Sequence, residues 1–132
     1  MKRCSLLLIA LAVLCLGVPG QAAAQSARPA AHITSQTTTT LVAGVAGKTV
    51  GILSGSVCVD ANGSSTGITF QDSNGTNLVG TGVVYVLPAG SCFWFPTRSD
   101  PYFNLTASGA GLQIVTTIAA GPVEVYLETV QR

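Results

Sequence analysis

From residue 48 onward, apolar residues recur at every second position in short runs. Each run is closed by Gly, Pro or Asn-Gly. Val123, Val125 and Leu127 alternate with Glu124, Tyr126 and Glu128, and Leu112, Ile114, Thr116 and Ile118 alternate with Gln113, Val115 and Thr117. A period of two is that of a strand with one face in a core and the other in water. No stretch after Ala24 keeps the 3.6-residue period of an amphipathic helix, and glycine recurs too often for a long one. The chain is therefore restricted to all-β folds.

Further strands are predicted over 48–60, 67–71 and 92–95, with a return strand beginning at 77–79. Within 48–60 the apolar positions change parity, from Val50 and Ile52 to Val57 and Val59, which predicts a bulge or bend near Gly55. Asp72-Ser73-Asn74-Gly75 predicts a tight turn, because Asn-Gly tolerates positive φ. Residues 83–87 are almost all apolar and read as a strand in the core or centre of its sheet. Pro88-Ala89-Gly90 turns the chain into Cys92–Phe95, and Pro96 ends that strand. Residues 102–107 read as one more strand, Tyr102 and Asn104 facing opposite to Phe103 and Leu105. About eight or nine short strands separated by such turns imply a single antiparallel β-sandwich of jelly-roll or Greek-key type.

The start of the chain has a different character. Met1-Lys2-Arg3 is basic, 5–18 is an apolar run, Pro19-Gly20 breaks it, and Ala22-Ala23-Ala24 offers small residues for cleavage. That is the order of a bacterial Sec-type signal peptide over 1–24, and it places the protein in the periplasm or outside the cell. The run is short for a bilayer span, which takes about 20 apolar residues. A retained anchor and lipoprotein processing at Cys15 are the alternatives, the second weakened by the bulky Leu14 before it. Residues 25–40 are small and polar, then rich in threonine. They read as a disordered, flexible leader running into an edge strand or an extended arm, with 41–132 as the sandwich.

Past Ala24 the charges are Arg28, Lys48, Arg98 and Arg132 against Asp60, Asp72, Asp100, Glu124 and Glu128, a net charge of −1. So sparse a set has no basic patch to track a phosphate backbone, which excludes nucleic acid as an expected partner. After signal cleavage no membrane segment is expected either. Weak charge with abundant Val, Thr, Gly and Ala fits a surface that meets other protein, and equally a monomer coated in Thr and Ser. Cys4 and Cys15 leave with the signal peptide. Cys58 and Cys92 remain as a pair in an oxidising compartment and are expected to form a disulfide. Such a bond closes a loop for which chain entropy gives ~4 kcal/mol.

No residue set with catalytic chemistry is visible. The only histidine, His32, lies in the leader, so the many serines lack a base. Glu124 and Glu128 share a strand face about 13 Å apart and read as solubilising charges rather than a glycosidase pair. Asp60-Ala61-Asn62-Gly63 and Asp72-Ser73-Asn74-Gly75 each match half of a calcium loop without the further acidic ligands. Two cysteines and a distant histidine do not make a zinc site. No metal or cofactor is expected. Asn62, Asn74 and Asn104 head glycosylation triplets that carry meaning only in a glycosylating host.

Phe93, Trp94, Phe95, Tyr102 and Phe103 gather most of the aromatics around the hairpin at 82–98. Most are expected in the core. Trp94, of opposite parity to Phe93 and Phe95, is the candidate for an outward contact, together with Thr97, Arg98 and Tyr102. A second candidate is the arm, in which Ile33, Thr37, Thr38, Thr39 and Thr40 could add as a strand to a neighbouring subunit.

Trp94-Phe95-x-Thr97, Phe103-Asn104-Leu105, Gly111-Leu112-Gln113-Ile114 and Val125-Tyr126-Leu127-Glu128 resemble small all-β proteins encoded by phages and prophages, often among virion structural genes. The segment from Leu41 to Lys48 is similar too, so the resemblance runs over roughly 41–128. It implies a jelly-roll-like sandwich used in assembly or attachment, and supplies no catalytic residues. The signal peptide and the Cys58/Cys92 pair depart from that pattern and favour an exported bacterial protein over a capsid or tail part. The resulting expectation is an exported, non-catalytic β-sandwich that self-associates or binds a cell surface. The alternative is a carbohydrate-binding module using Trp94, and an enzyme is the least favoured reading.

Overall fold

The computed structural model describes residues 24–80, 84–117 and 122–132. The expected signal peptide lies outside these residues except for Ala24, and Cys4 and Cys15 lie outside them as well. Nine strands are described: β1 (Gln25–Ala27), β2 (Ala30–Ile33), β3 (Thr38–Val42), β4 (Val50–Val59), β5 (Thr66–Asp72), β6 (Tyr85–Leu87), β7 (Cys92–Phe95), β8 (Leu112–Thr117) and β9 (Val123–Gln131). One sheet runs β1-β9-β4-β7 with β2 also on β9, and the other runs β3-β8-β5-β6. Every pairing is antiparallel. β1 and β2 lie end to end along β9, interrupted at Arg28-Pro29, where the Leu127 N–H donates to the Pro29 carbonyl at 3.0 Å, a separation typical of a ladder bond. Counted as one strand, they give the order β2-β9-β4-β7 facing β3-β8-β5-β6, which is a jelly roll.

The alternating pattern explains why the sheets stack. Val57, Val59, Val123, Val125 and Leu127 point inward from the first sheet, and Ile68, Phe70, Leu112 and Ile114 from the second. All are buried, each stabilising the fold by ~1.5–3 kcal/mol on transfer grounds. At the β6/β7 end the core is aromatic. Tyr85 stacks on Phe93 across the two sheets with centroids 5.1 Å apart, and Phe95 meets Phe70 edge-on at 5.9 Å.

The parity change within β4 has the predicted cause. Register with β9 shifts between Ile52 and Ser54, so Leu53 is a bulged residue. Gly55 follows at φ 141°, and a Cβ there would lie 2.1 Å from the Tyr126 carbonyl oxygen. Only glycine lets β4 and β9 approach so closely.

Four expectations are corrected. Residues 25–31 are not a disordered leader, since β1 and β2 hydrogen-bond along β9 and Ile33 is buried in the core. His32 accordingly sits on a strand. Residues 102–107 are not a strand. Their N–H groups serve different partners: Tyr102 donates to Ile52 and Thr106 to Val50 on β4, whereas Asn104 donates to Leu78. The segment thus bridges the two sheets instead of extending one. Finally, the apolar run before Pro88 is not central. Among the described residues β6 has a single neighbour, β5, and only Leu87 is buried in it, while Val84 and Val86 are exposed. Val83 lies outside the described residues. Residues 77–79 likewise make only an isolated bridge from Asn77 to Gln71.

Candidate interaction surfaces

The jelly roll presents two flanks and two outer faces. On one flank the edges are β2 and β3; on the other they are β6 and β7, held together by the Tyr85–Phe93 stack. An edge strand offers unpaired backbone groups to another chain.

The β2/β3 flank is built by the threonine-rich segment. Thr38, Thr39 and Thr40 pair with Val115, Ile114 and Gln113. Thr37 donates its N–H to the Thr116 hydroxyl at 3.1 Å, and its carbonyl accepts the Thr116 N–H at 2.9 Å. Thr116 is buried, and its hydroxyl also lies 3.1 Å from the Ser35 carbonyl. Thr129 holds the other end through a 3.1 Å bond to the Ala27 carbonyl. Ile33, Thr37, Thr38, Thr39 and Thr40 are thus brought to one flank, with their partners in the same chain.

The β6/β7 flank carries the disulfide. Cys58 and Cys92 are directly opposed in the β4/β7 register and are bonded, their Cα atoms 4.0 Å apart. The bond lies on the outer face and ties a four-residue edge strand to β4.

Trp94 points outward, 68% exposed, as its parity predicts. Thr97 and Arg98 are exposed beyond the end of β7. Tyr102 does not join Trp94: its ring packs edge-on against Phe95 at 5.3 Å, its hydroxyl donates to the Pro96 carbonyl, and the Arg98 guanidinium covers it at 4.9 Å. Arg98 and Tyr102 are thereby committed to each other and to the rim of the core.

Sequence reasoning missed Tyr126 as a companion to Trp94. Ala30, Tyr126, Ser56 and Trp94 form one row across β2, β9, β4 and β7. Tyr126 is 56% exposed and Ser56 between the rings is nearly buried. The adjacent row is His32, Glu124, Cys58 and Cys92, with His32 Nδ1 hydrogen-bonded to Glu124 Oε1. On the other side Glu128 accepts from the Ser54 hydroxyl at 3.0 Å and meets Arg28 at 3.8 Å. Outward alternation along β9 hinted at Tyr126, but its row depends on non-local pairing.

Asp72 is the one buried carboxylate, 1% exposed. Burial pushes its pKa up, but backbone N–H groups of Thr76, Ala107 and Asn74 outweigh that and hold the carboxyl below its ordinary range. It fixes the turn at Ser73–Gly75 and joins it to the segment before β8. The tight turn that Asn74-Gly75 predicts is present. Among the described residues no three His, Cys, Asp or Glu side chains converge on a point where a metal could sit, and no helix is long and apolar enough to cross a membrane.

Fold and disulfide define the class: a small antiparallel jelly roll stapled between an edge strand and its neighbour. The chain is similar to a solved structure described as "Bacillus endospore appendages form a novel family of disulfide-linked pili". The likeness has a TM-score of 0.50 at 17% identity and covers 82% of this chain and 86% of that one. No family model matches the chain, and none of the curated proteins does.

Proposed function

We propose that the protein is an exported, non-catalytic subunit that assembles with copies of itself into a fibre or surface layer. The observation that carries this reading is the pair of edge-strand flanks, β2/β3 and β6/β7, on opposite sides of one sandwich among the described residues. Two different edges on one subunit favour head-to-tail contacts, which generate open polymers rather than closed dimers. The likeness to a pilus protein over most of both chains supports it, and so does the sparse charge. The resemblance to phage-encoded virion proteins points toward assembly as well.

In this reading the arm makes the contact. Thr37 to Thr40 and Ile33 either present their outer edge to a neighbour's β6/β7 flank or leave β9 and β8 to pair with those strands in another copy. The signal-peptide-like order expected over 1–24 and the disulfide support export to the periplasm or beyond. Electron microscopy of the purified chain from Gln25 to Arg132 tests the proposal. Filaments or sheets are expected, and a field of separate particles of monomer size refutes it.

A further inference from the structure

The geometry points to a binding platform for a neutral, β-linked polysaccharide on the outer face of the β2-β9-β4-β7 sheet, with Trp94 and Tyr126 as its two stacking rings. Both side chains project from the same cross-strand row, one on β7 and the other on β9, with β4 between them. Two strand spacings separate them by about 9.6 Å. That is close to the distance between alternate rings of an extended β-1,4-linked pyranose chain. Ser56 on the intervening strand is small and nearly buried, so it leaves a shallow floor on which the middle sugar can lie. Among the described residues neither ring touches another aromatic side chain, unlike Phe93, Phe95, Tyr102 and Phe103, which pack on one another. The Trp94 and Tyr126 faces are available to the C–H faces of a sugar, which suit the negative face of an aromatic ring.

The borders of the platform select the class of ligand. Glu124 stands beside it in one flanking row and Glu128 in the other. Their carboxylates accept hydrogen bonds from sugar hydroxyls, and charge-assisted bonds of this kind are the stronger ones. His32 and Arg28 partner the same two carboxylates from the edge. An anionic polymer would bring like charge against Glu124 and Glu128. A neutral polyol does not meet that penalty. The Cys58–Cys92 bond lies in the row next to Trp94 and holds β7 to β4, so the tryptophan is fixed before the ligand arrives. Edge-to-edge assembly would leave this face open and repeat it along a polymer, multiplying a weak single site. That last step alone rests on the assembly reading.

Trp94 is the only tryptophan of the chain, so its emission reports on the platform directly. The test titrates the protein from Gln25 to Arg132 with cellohexaose, with the N-acetylglucosamine hexamer, and with an alginate oligomer as the anionic control. A saturable blue shift with either neutral oligosaccharide and none with alginate is expected; the two arms tell a hexose ligand from an N-acetylhexosamine one. Tyr126→Ala keeps the reporter and is expected to weaken binding by roughly tenfold, with an unchanged emission spectrum in the free state. Absence of a shift with both neutral oligosaccharides overturns the proposal. So does equal affinity in Tyr126→Ala. A blue shift that grows with protein concentration and without sugar also overturns it, and assigns the face to a contact between subunits.

Discussion

Cys58 and Cys92 face each other across β4 and β7 at a position where the two strands are already in register. The neighbouring Val59 N–H donates to the Ser91 carbonyl at 2.9 Å, so the cysteines occupy the adjoining non-hydrogen-bonded position, where side chains come closest. The bond therefore does not create the β7 pairing. It removes freedom from the unfolded chain and stops the short edge strand from fraying. Replacing both residues by serine is expected to keep the sandwich and cost about 2–4 kcal/mol. Urea denaturation followed by circular dichroism measures this; an unchanged midpoint would remove the staple role.

With both cysteines of the chain past Ala24 used in one internal bond, subunits of an assembly are expected to be held without covalent links. A non-reducing denaturing gel of the chain from Gln25 to Arg132 should show monomer only, and a thiol assay should find no free cysteine. A ladder of species that collapses on reduction would contradict this.

Asp72 makes stability depend on pH in one direction. Its folded pKa lies below the ordinary aspartate value of about 3.9, so the unfolded chain binds the proton more readily. The stabilisation is complete above that ordinary value and is lost as pH falls through the lower folded one. Asp72→Asn places an amide where the carboxylate accepts from Asn74 and Thr76 at 2.9 Å and from Ala107 at 3.3 Å. It is expected to cost ~1–3 kcal/mol at neutral pH and to flatten the fall in stability in acid. Urea midpoints from neutral to strongly acid pH check both; parallel curves for the two proteins would contradict the assignment.

Two glycines of positive φ separate close approach from turn geometry. At Gly55 an added Cβ meets the Tyr126 carbonyl oxygen at 2.1 Å and the Leu127 Cα at 2.7 Å, both backbone atoms. At Gly75, φ 86°, nothing lies within 4 Å. Gly75→Ala should cost only the left-handed backbone strain, about 1–2 kcal/mol. Gly55→Ala should cost more, or prevent folding, because β4 and β9 must move apart. Thermal melts of the two variants compare them directly, and equal melting temperatures would contradict the close-approach account.

Local alternation made much of this fold legible. The strands at Val123–Gln131 and Cys92–Phe95, the bulge ahead of Gly55 and the outward turn of Trp94 all follow from parity and turn residues close in sequence. Three features were not legible, each for a non-local reason. Val84 and Val86 look like core until β6 is seen to have one neighbour. Phe103 looks like part of a strand because its neighbours alternate, yet its segment bonds to both sheets. Tyr126 joins Trp94 only through the β9-β4-β7 pairing, which no short stretch encodes. The leader misled through composition: small polar residues over 25–31 suggested disorder, whereas the β9 edge holds them.

Val86 is 61% exposed on the edge strand β6. Lysine on such an edge blocks strand addition without touching the core. Val86→Lys is expected to leave the melting temperature within about 0.5 kcal/mol equivalent of the parent and to reduce assembly. Sedimentation velocity reads the second effect, and an unaltered distribution would show that this flank is not a contact.

The account turns on whether the chain from Gln25 to Arg132 associates with itself. Its mass by light scattering across a dilution series, without reductant, measures that most directly. The mass is expected to rise with concentration into a polymer series; a monomer mass independent of concentration would refute assembly.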